Sequence, residues 1–391
     1  FFFLMDEGIS FLWQTLPGWI GSVTAEPLPV LSQGPFGFVP FPLIVCVLGG
    51  LVIGLYAKHT GVEPEDFNSV MAKVKQDGRY DYSRIGKLSL AALLPLLFGG
   101  SIGPEAGLTG VIAGLCTWVG DRMRKFGADF RALTVAGTQA ALSGTADGAR
   151  GEEDIALPKA QKAVVYLCAI AGALSAFLIL GQLFGENSGL PRFDAVEVGS
   201  YELMLLLPLA LAGMVCGWVF HAANKGTMCL SHAMGNRPVA KAVLAGVVLA
   251  ICGMALPYTM FAGESQAHRL MEGYSALPAA VLITTGFVKC ALTPTCLNLG
   301  WRGGHFFPVI FSGVSLGYGF ALLTGAAPAF CVAACTSALM GAVMRQPIMA
   351  ALLLMLCFPL KGVVVMLVAA VIGAAIPLPR VFRPNTQTDR A

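Results

Sequence analysis

Apolar stretches long enough to enter or cross a lipid bilayer recur along almost the whole chain, at about 36–57, 88–119, 132–147, 163–185, 203–221, 239–261, 276–300, 306–325, 328–344 and 347–379. A helical crossing needs roughly 20 apolar residues, so 391 residues arranged in this way make a polytopic membrane protein with little left for a soluble domain. Composition agrees. Hydrophobic residues make up 56% and charged residues 12%, against the roughly 25% charged of a soluble domain, which excludes an ordinary cytosolic enzyme. A net charge of +3 with no long basic run leaves no electrostatic footprint for nucleic acid.

Several apolar stretches are interrupted by Gly and Pro, and two interruptions stand out: Gly99-Gly-Ser-Ile-Gly-Pro-Glu-Ala-Gly107 and Gly300-Trp-Arg-Gly-Gly-His-Phe-Phe-Pro308. Backbone polar groups at membrane depth need partners, so such breaks survive only when buried in protein or lining a wet cavity. A matching pair in the two halves of a chain points to an inverted-repeat transporter with its site between the breaks. A helix starting inside the membrane aims unpaired N–H groups and a positive dipole end at what lies before it, which suits an anion. Pro104 and Pro308 sit where helix starts belong. Backbone dipoles hold an anion without a full opposite charge, as conduction and turnover require.

Glu105 is the only acidic residue between Asp81 and Asp121 and lies within the first break. Ionised, a carboxylate there competes for the anion's position; protonated, it swings away, coupling proton and anion occupancy. The alternative is a solvated glutamate at a helix hairpin. Lys289 is the only charge between Glu272 and Arg302, where it reads either as a vestibule cation that concentrates anions or as a snorkelling or carboxylate-paired lysine. The eleven cysteines include no Cys-x-x-Cys pair, and Cys46, Cys116, Cys168, Cys216, Cys252 and Cys331 lie in apolar stretches, as small buried hydrophobes do. Trp118, Trp218 and Trp301 read as packing or interface anchors.

Loop charges set the orientation. Asp121–Arg131, the 58–87 insertion and the tail after Arg380 are expected inside. The Lys/Arg-poor loop 186–202 is expected outside. Residues 1 to 20 read as the end of a helix that begins upstream.

These residues resemble the CLC chloride channels and transporters. Gly103-Pro104-Glu105-Ala106-Gly107 is similar to the family's Gly-Arg-Glu-Gly-Pro segment, and Gly303-Gly304-His305-Phe306-Phe307-Pro308 matches its Gly-Gly-x-Phe-x-Pro. Lys289 and Thr293 match its Lys-x-x-x-Thr. The resemblance covers about residues 36 to 379. It implies an all-α integral membrane fold of two inverted-topology repeats with broken and re-entrant helices, the first at about 1–185 and the second at about 203–379. A short tail, 380–391, would follow, with no cytoplasmic regulatory domain.

By the same resemblance Glu105 would be the gating glutamate. Backbone amides of His305 and Phe306 would line the central anion site, and those of Gly103, Ala106 and Gly107 the outer one. Pro104, Gly303, Gly304 and Pro308 would be structural. The protein would be a homodimer with one pore per subunit, in a bacterial inner membrane, moving chloride or another small anion and possibly H+, with no cofactor and no metal. The family's inner-gate serine has no clean counterpart; the nearest hydroxyl is Thr60. Where exchangers carry an internal proton-relay glutamate, Glu152 or Glu153 is the substitute, the alternative being a solvated loop. Fluoride/proton exchange and a non-transporting receptor or scaffold of the same fold are the alternatives. An intramembrane enzyme is not expected, since the metalloprotease run His-Glu-x-x-His does not occur.

Overall fold

The computed structural model describes residues 2–16, 40–65, 67–123, 191–196 and 198–375. Among these the ordered elements are helices, with no β-strand. In chain order they are α1 (Phe2–Ser10), α2 (Pro40–Thr60), α3 (Phe67–Asp77), α4 (Ile85–Leu97), α5 (Glu105–Met123), α6 (Ser200–Ala233) and α7 (Pro238–Ala255). After them come α8 (Glu264–Gly273), α9 (Ala279–Asn298), α10 (Phe306–Thr324), α11 (Pro328–Met344), α12 (Pro347–Leu354) and α13 (Val363–Ala375). Phe41–Thr60 of α2, together with α6, α7, α9 and α10, are long and apolar enough to cross a membrane; α4, α11, α13 and residues 105–119 of α5 are shorter apolar helices.

The apolar stretches translate into helices with four differences, each with a local cause. Stretch 88–119 divides into α4 and α5 at the first break, as its Gly/Pro content requires. Stretch 203–221 runs on to Ala233, because the polar residues that follow are helix-compatible and include no proline. Stretch 239–261 stops at Ala255, just before Pro257, which lacks the N–H that would continue the helix. Stretch 347–379 divides into α12 and α13 around Pro359 and Gly362. The hydrophilic insertion 58–87 carries the amphipathic helix α3. Stretches 132–147 and 163–185, Cys168, Glu152 and Glu153 lie outside the described residues.

The chain forms two compact units: residues 1–61, 93–104 and 191–391 in one, and 62–92 with 105–190 in the other. In the larger unit, Trp301, Met260, Ile102, Leu249 and Leu299 are fully buried in a core shared by α2, α4, α7 and α9. Helices approach closely where one presents a glycine. A Cβ at Gly50 would lie 2.4 Å from the Ala242 carbonyl oxygen, one at Gly246 2.3 Å from that of Cys46, and one at Gly341 2.2 Å from that of Ala370. In lipid there is little hydrophobic drive between apolar helices, so van der Waals contact through small residues carries the packing. The outward faces stay apolar, with Leu48 and Leu51 on α2, Leu203, Met204 and Leu207 on α6, and Val364 and Val368 on α13.

In the smaller unit, Val70 and Val74 of α3 pack on Ala113 of α5, with Tyr80 beside them. The Tyr80 N–H donates to Thr117 Oγ1 (3.1 Å), which itself donates to the Ala113 carbonyl (2.9 Å). Arg79 and Asp121 close the polar end as an ion pair.

Candidate functional site

The two breaks are built alike, bond for bond. Helix α4 ends with Phe98 N–H donating to Leu94 (3.2 Å), Gly99 to Leu96 (3.2 Å) and Gly100 to Pro95 (2.8 Å). Helix α9 ends with Leu299 donating to Thr295 (3.2 Å), Gly300 to Leu297 (3.4 Å) and Trp301 to Cys296 (3.0 Å). Both ends are Schellman motifs, with the left-handed position filled by Gly99 (φ 84) and Gly300 (φ 98). From there each chain passes through a short loop and re-enters a helix, α5 at Glu105 and α10 at Phe306.

The loops meet. Gly103 N–H donates to the Gly304 carbonyl (2.8 Å) and Gly304 N–H donates to the Gly103 carbonyl (2.7 Å), an antiparallel bridge between the breaks. The pairing satisfies main-chain groups that would otherwise be stranded at membrane depth. It also corrects one expectation, for the Gly103 N–H is given to Gly304 and is no anion donor. A Cβ at Gly303 would lie 2.5 Å from Ile102 Cδ1 and 3.0 Å from the Gly103 carbonyl oxygen, so there is no room for a side chain at that position.

Around the bridge the larger unit supplies a rigid frame. Trp301, fully buried, donates its Nε1–H to the Ala242 carbonyl (2.8 Å) and covers Gly100. Ser101 Oγ and Thr293 Oγ1 lie 3.4 Å apart and are fully buried. Phe261, at φ 59, donates its N–H to the Gly99 carbonyl (3.0 Å). Sequence reasoning read Trp301 as packing or an interface anchor and did not single out Ser101. The tryptophan inside the second Gly-rich run was the available signal.

Lys289 neither snorkels nor pairs with a carboxylate. It is fully buried, and its ammonium donates to the carbonyls of Tyr258 (3.2 Å), Thr259 (3.3 Å), Met260 (2.8 Å) and Phe261 (2.9 Å). The Phe311 ring centroid is 4.6 Å away. Three N–H groups are thus shared among four acceptors, and the charge is turned onto the strained turn that holds Gly99 rather than onto open water. The vestibule-cation expectation, which needs an accessible ammonium, is corrected accordingly. Thr293, one turn on, bonds back to the Lys289 carbonyl (3.0 Å) and faces Ser101. The Lys-x-x-x-Thr spacing therefore aims two residues at the first break.

Glu105 is half-buried in the first turn of α5, where Thr109 Oγ1 donates to its carbonyl (2.7 Å). Ala106 and Gly107 follow in the same turn; a Cβ at Gly107 would lie 2.2 Å from Ala92 Cβ, so that glycine permits close packing against α4. His305 precedes α10 and makes no side-chain cap; its ring lies 4.5 Å from that of Phe306 and 5.9 Å from that of Phe220. Pro308 is buried in the first turn of α10.

Thr60 is not brought to the breaks. It is the last residue of α2 and donates to its own helix at Tyr56 (2.8 Å). Gly50, which touches Ala242 beneath Trp301, precedes it by about 15 Å of helix. Cys46, Cys216 and Cys331 are buried free thiols, whereas Cys116 and Cys252 are half-buried.

Comparison with known proteins bears on this geometry. The family profile described as voltage gated chloride channel matches residues 155–377. YfeO of Salmonella paratyphi A, provisionally named as an ion-transport protein, is 28% identical over 341 residues, covering 83% of this chain and 77% of that protein. The same protein of Salmonella choleraesuis is 29% identical over 341 residues with the same coverage. Among solved structures, a CLC-type fluoride/proton antiporter superposes with a TM-score of 0.64 at 17% identity, covering 95% of this chain and 92% of that one. A slow cyanobacterial Cl-/H+ antiporter gives 0.64 at 17% identity, covering 97% and 92%. The fold is thus that of the CLC transporters, in an all-α integral membrane protein. With helices that end in paired glycine breaks, and with a profile that matches more than half of its residues, the chain belongs to the voltage-gated chloride channel family.

Proposed function

We propose that this chain carries chloride or a similar small anion across a bacterial inner membrane, as a CLC channel or an anion/proton antiporter and not as an enzyme. The observation that carries the reading is the Gly103–Gly304 bridge, with a helix opening two residues beyond it on each side. First-turn amides are left without intrahelical acceptors and the dipole adds positive potential. The amides of Ala106 and Gly107 at the start of α5, and those of His305 and Phe306 at the start of α10, are the proposed anion ligands.

Glu105 is the proposed gate. It follows Gly103 by two residues, at most about 7 Å of chain, which supports the reading. Ionised it takes the anion's place, and protonated it yields. Two repeats, at about 1–185 and 203–379, and a homodimer with a pathway in each copy complete the reading.

Proteoliposome flux tests it. Chloride efflux that depends on pH, and that loses this dependence in Glu105→Gln, is the expected result; unchanged flux and pH dependence in the variant would remove the gate assignment. Uphill proton movement driven by chloride distinguishes an exchanger from a channel. Fluoride is the second reading, because this chain superposes equally well on a fluoride/proton and on a Cl-/H+ antiporter. Measured preference for chloride over fluoride excludes it.

A further inference from the structure

A cluster of neutral polar side chains joins α6 to the end of α9, just before the second break. Asn298 Nδ2 donates to Asn224 Oδ1 (2.8 Å), to the Asn224 carbonyl (3.2 Å) and to Thr227 Oγ1 (2.8 Å). The Thr227 hydroxyl gives its own proton back into α6, to the Ala223 carbonyl (2.7 Å). That fixes every orientation in turn. Thr227 has only lone pairs left for Asn298, so the atom Asn298 presents is its amide nitrogen. Asn224 must then offer its oxygen, and its Nδ2 group, with two N–H donors, is turned away from the cluster. Among the described residues this Nδ2 has no hydrogen-bond partner and is not enclosed.

The surroundings favour an anion. From Leu203 to Gly263 the chain has no acidic residue but has Lys225, Arg237 and Lys241, and α6, which starts in the loop 186–202 expected outside and is long enough to cross a membrane, carries Asn224 toward the end expected inside. On the same face of α6, one turn before Asn224 and about 6 Å along the axis, Phe220 meets His305 at the start of α10. Asn224 therefore lies along the approach to the second break.

We propose that Asn224 Nδ2, locked in direction by Asn298 and Thr227, is a binding position for a partly hydrated monovalent anion on the cytoplasmic approach to the second break. This rests on the transport reading above and deepens it. A neutral amide replaces part of an ion's hydration without trapping it, as passage through successive weak sites requires.

The test is the concentration dependence of chloride uptake into proteoliposomes by wild type, Asn224→Leu and Asn224→Asp. Asn224→Asp keeps an oxygen for Asn298 to donate to and replaces the two donors with negative charge. Half-saturating chloride should rise about fivefold in Asn224→Leu, the scale of one neutral hydrogen bond. It should rise further in Asn224→Asp. Unchanged half-saturation in both variants of a transporting protein overturns this assignment alone. No flux from wild type overturns the transport reading and this inference with it.

Discussion

At the scale of single residues, one acidic group with strongly perturbed surroundings outside the spans is Glu264, which opens α8. Desolvation, with the Asp6 carboxylate adding to it, pushes its carboxyl from 4.5 up to about 7. The folded protein then holds a proton that the unfolded chain releases above its own lower value. Linkage sets the sign: where the native state binds the extra proton, stability falls as pH rises. Thermal unfolding in detergent should therefore move to lower temperature between about pH 4.5 and pH 7 and level off above. Glu264→Gln should flatten that slope; an unchanged slope in the variant would show that another group is responsible.

At the scale of elements, Lys289 ties α9 to the turn between α7 and α8. Lys289→Met keeps the apolar stem and removes the donor, taking it from the Tyr258, Thr259 and Phe261 carbonyls, while the Met260 carbonyl keeps Gln266 Nε2 (3.4 Å). Buried acceptors stripped of a partner cost on the order of 1–3 kcal/mol each, and the turn can relax, so a loss of about 3 kcal/mol is expected, read as a lowered unfolding temperature. A variant as stable as wild type would mean that water replaces the ammonium. How much of this was legible in the sequence differs by element. Gly99 and Gly300 were legible as breaks, because only glycine takes the left-handed position without cost. The helix starts followed from Pro104 and Pro308. The Lys289 cage was not legible, because its acceptors are main-chain carbonyls and the side chains of Tyr258–Phe261 do not announce where they point. The Asn224–Thr227–Asn298 cluster was hidden for another reason, since no local pattern links residues some seventy positions apart. Thr60 misled through spacing alone: one hydroxyl near a Gly and a Pro resembles a gate until its helix is seen to end elsewhere.

For the whole molecule, the expected assembly is two copies. Purified in mild detergent, the protein part should have twice the 40.9 kDa mass of one chain, read by light scattering; a single-chain mass with full flux would show that pairing is dispensable. The reciprocal bonds between Gly103 and Gly304 bear on how such a machine can turn over. They tie the loop before α5 to the loop before α10. Parting them would strand two donors and two acceptors where water is scarce, at a cost of several kcal/mol. On the proposed transport reading, passage is expected to turn on small displacements beside a fixed seam, on the scale of a carboxylate rotamer, and not on the opening of that seam.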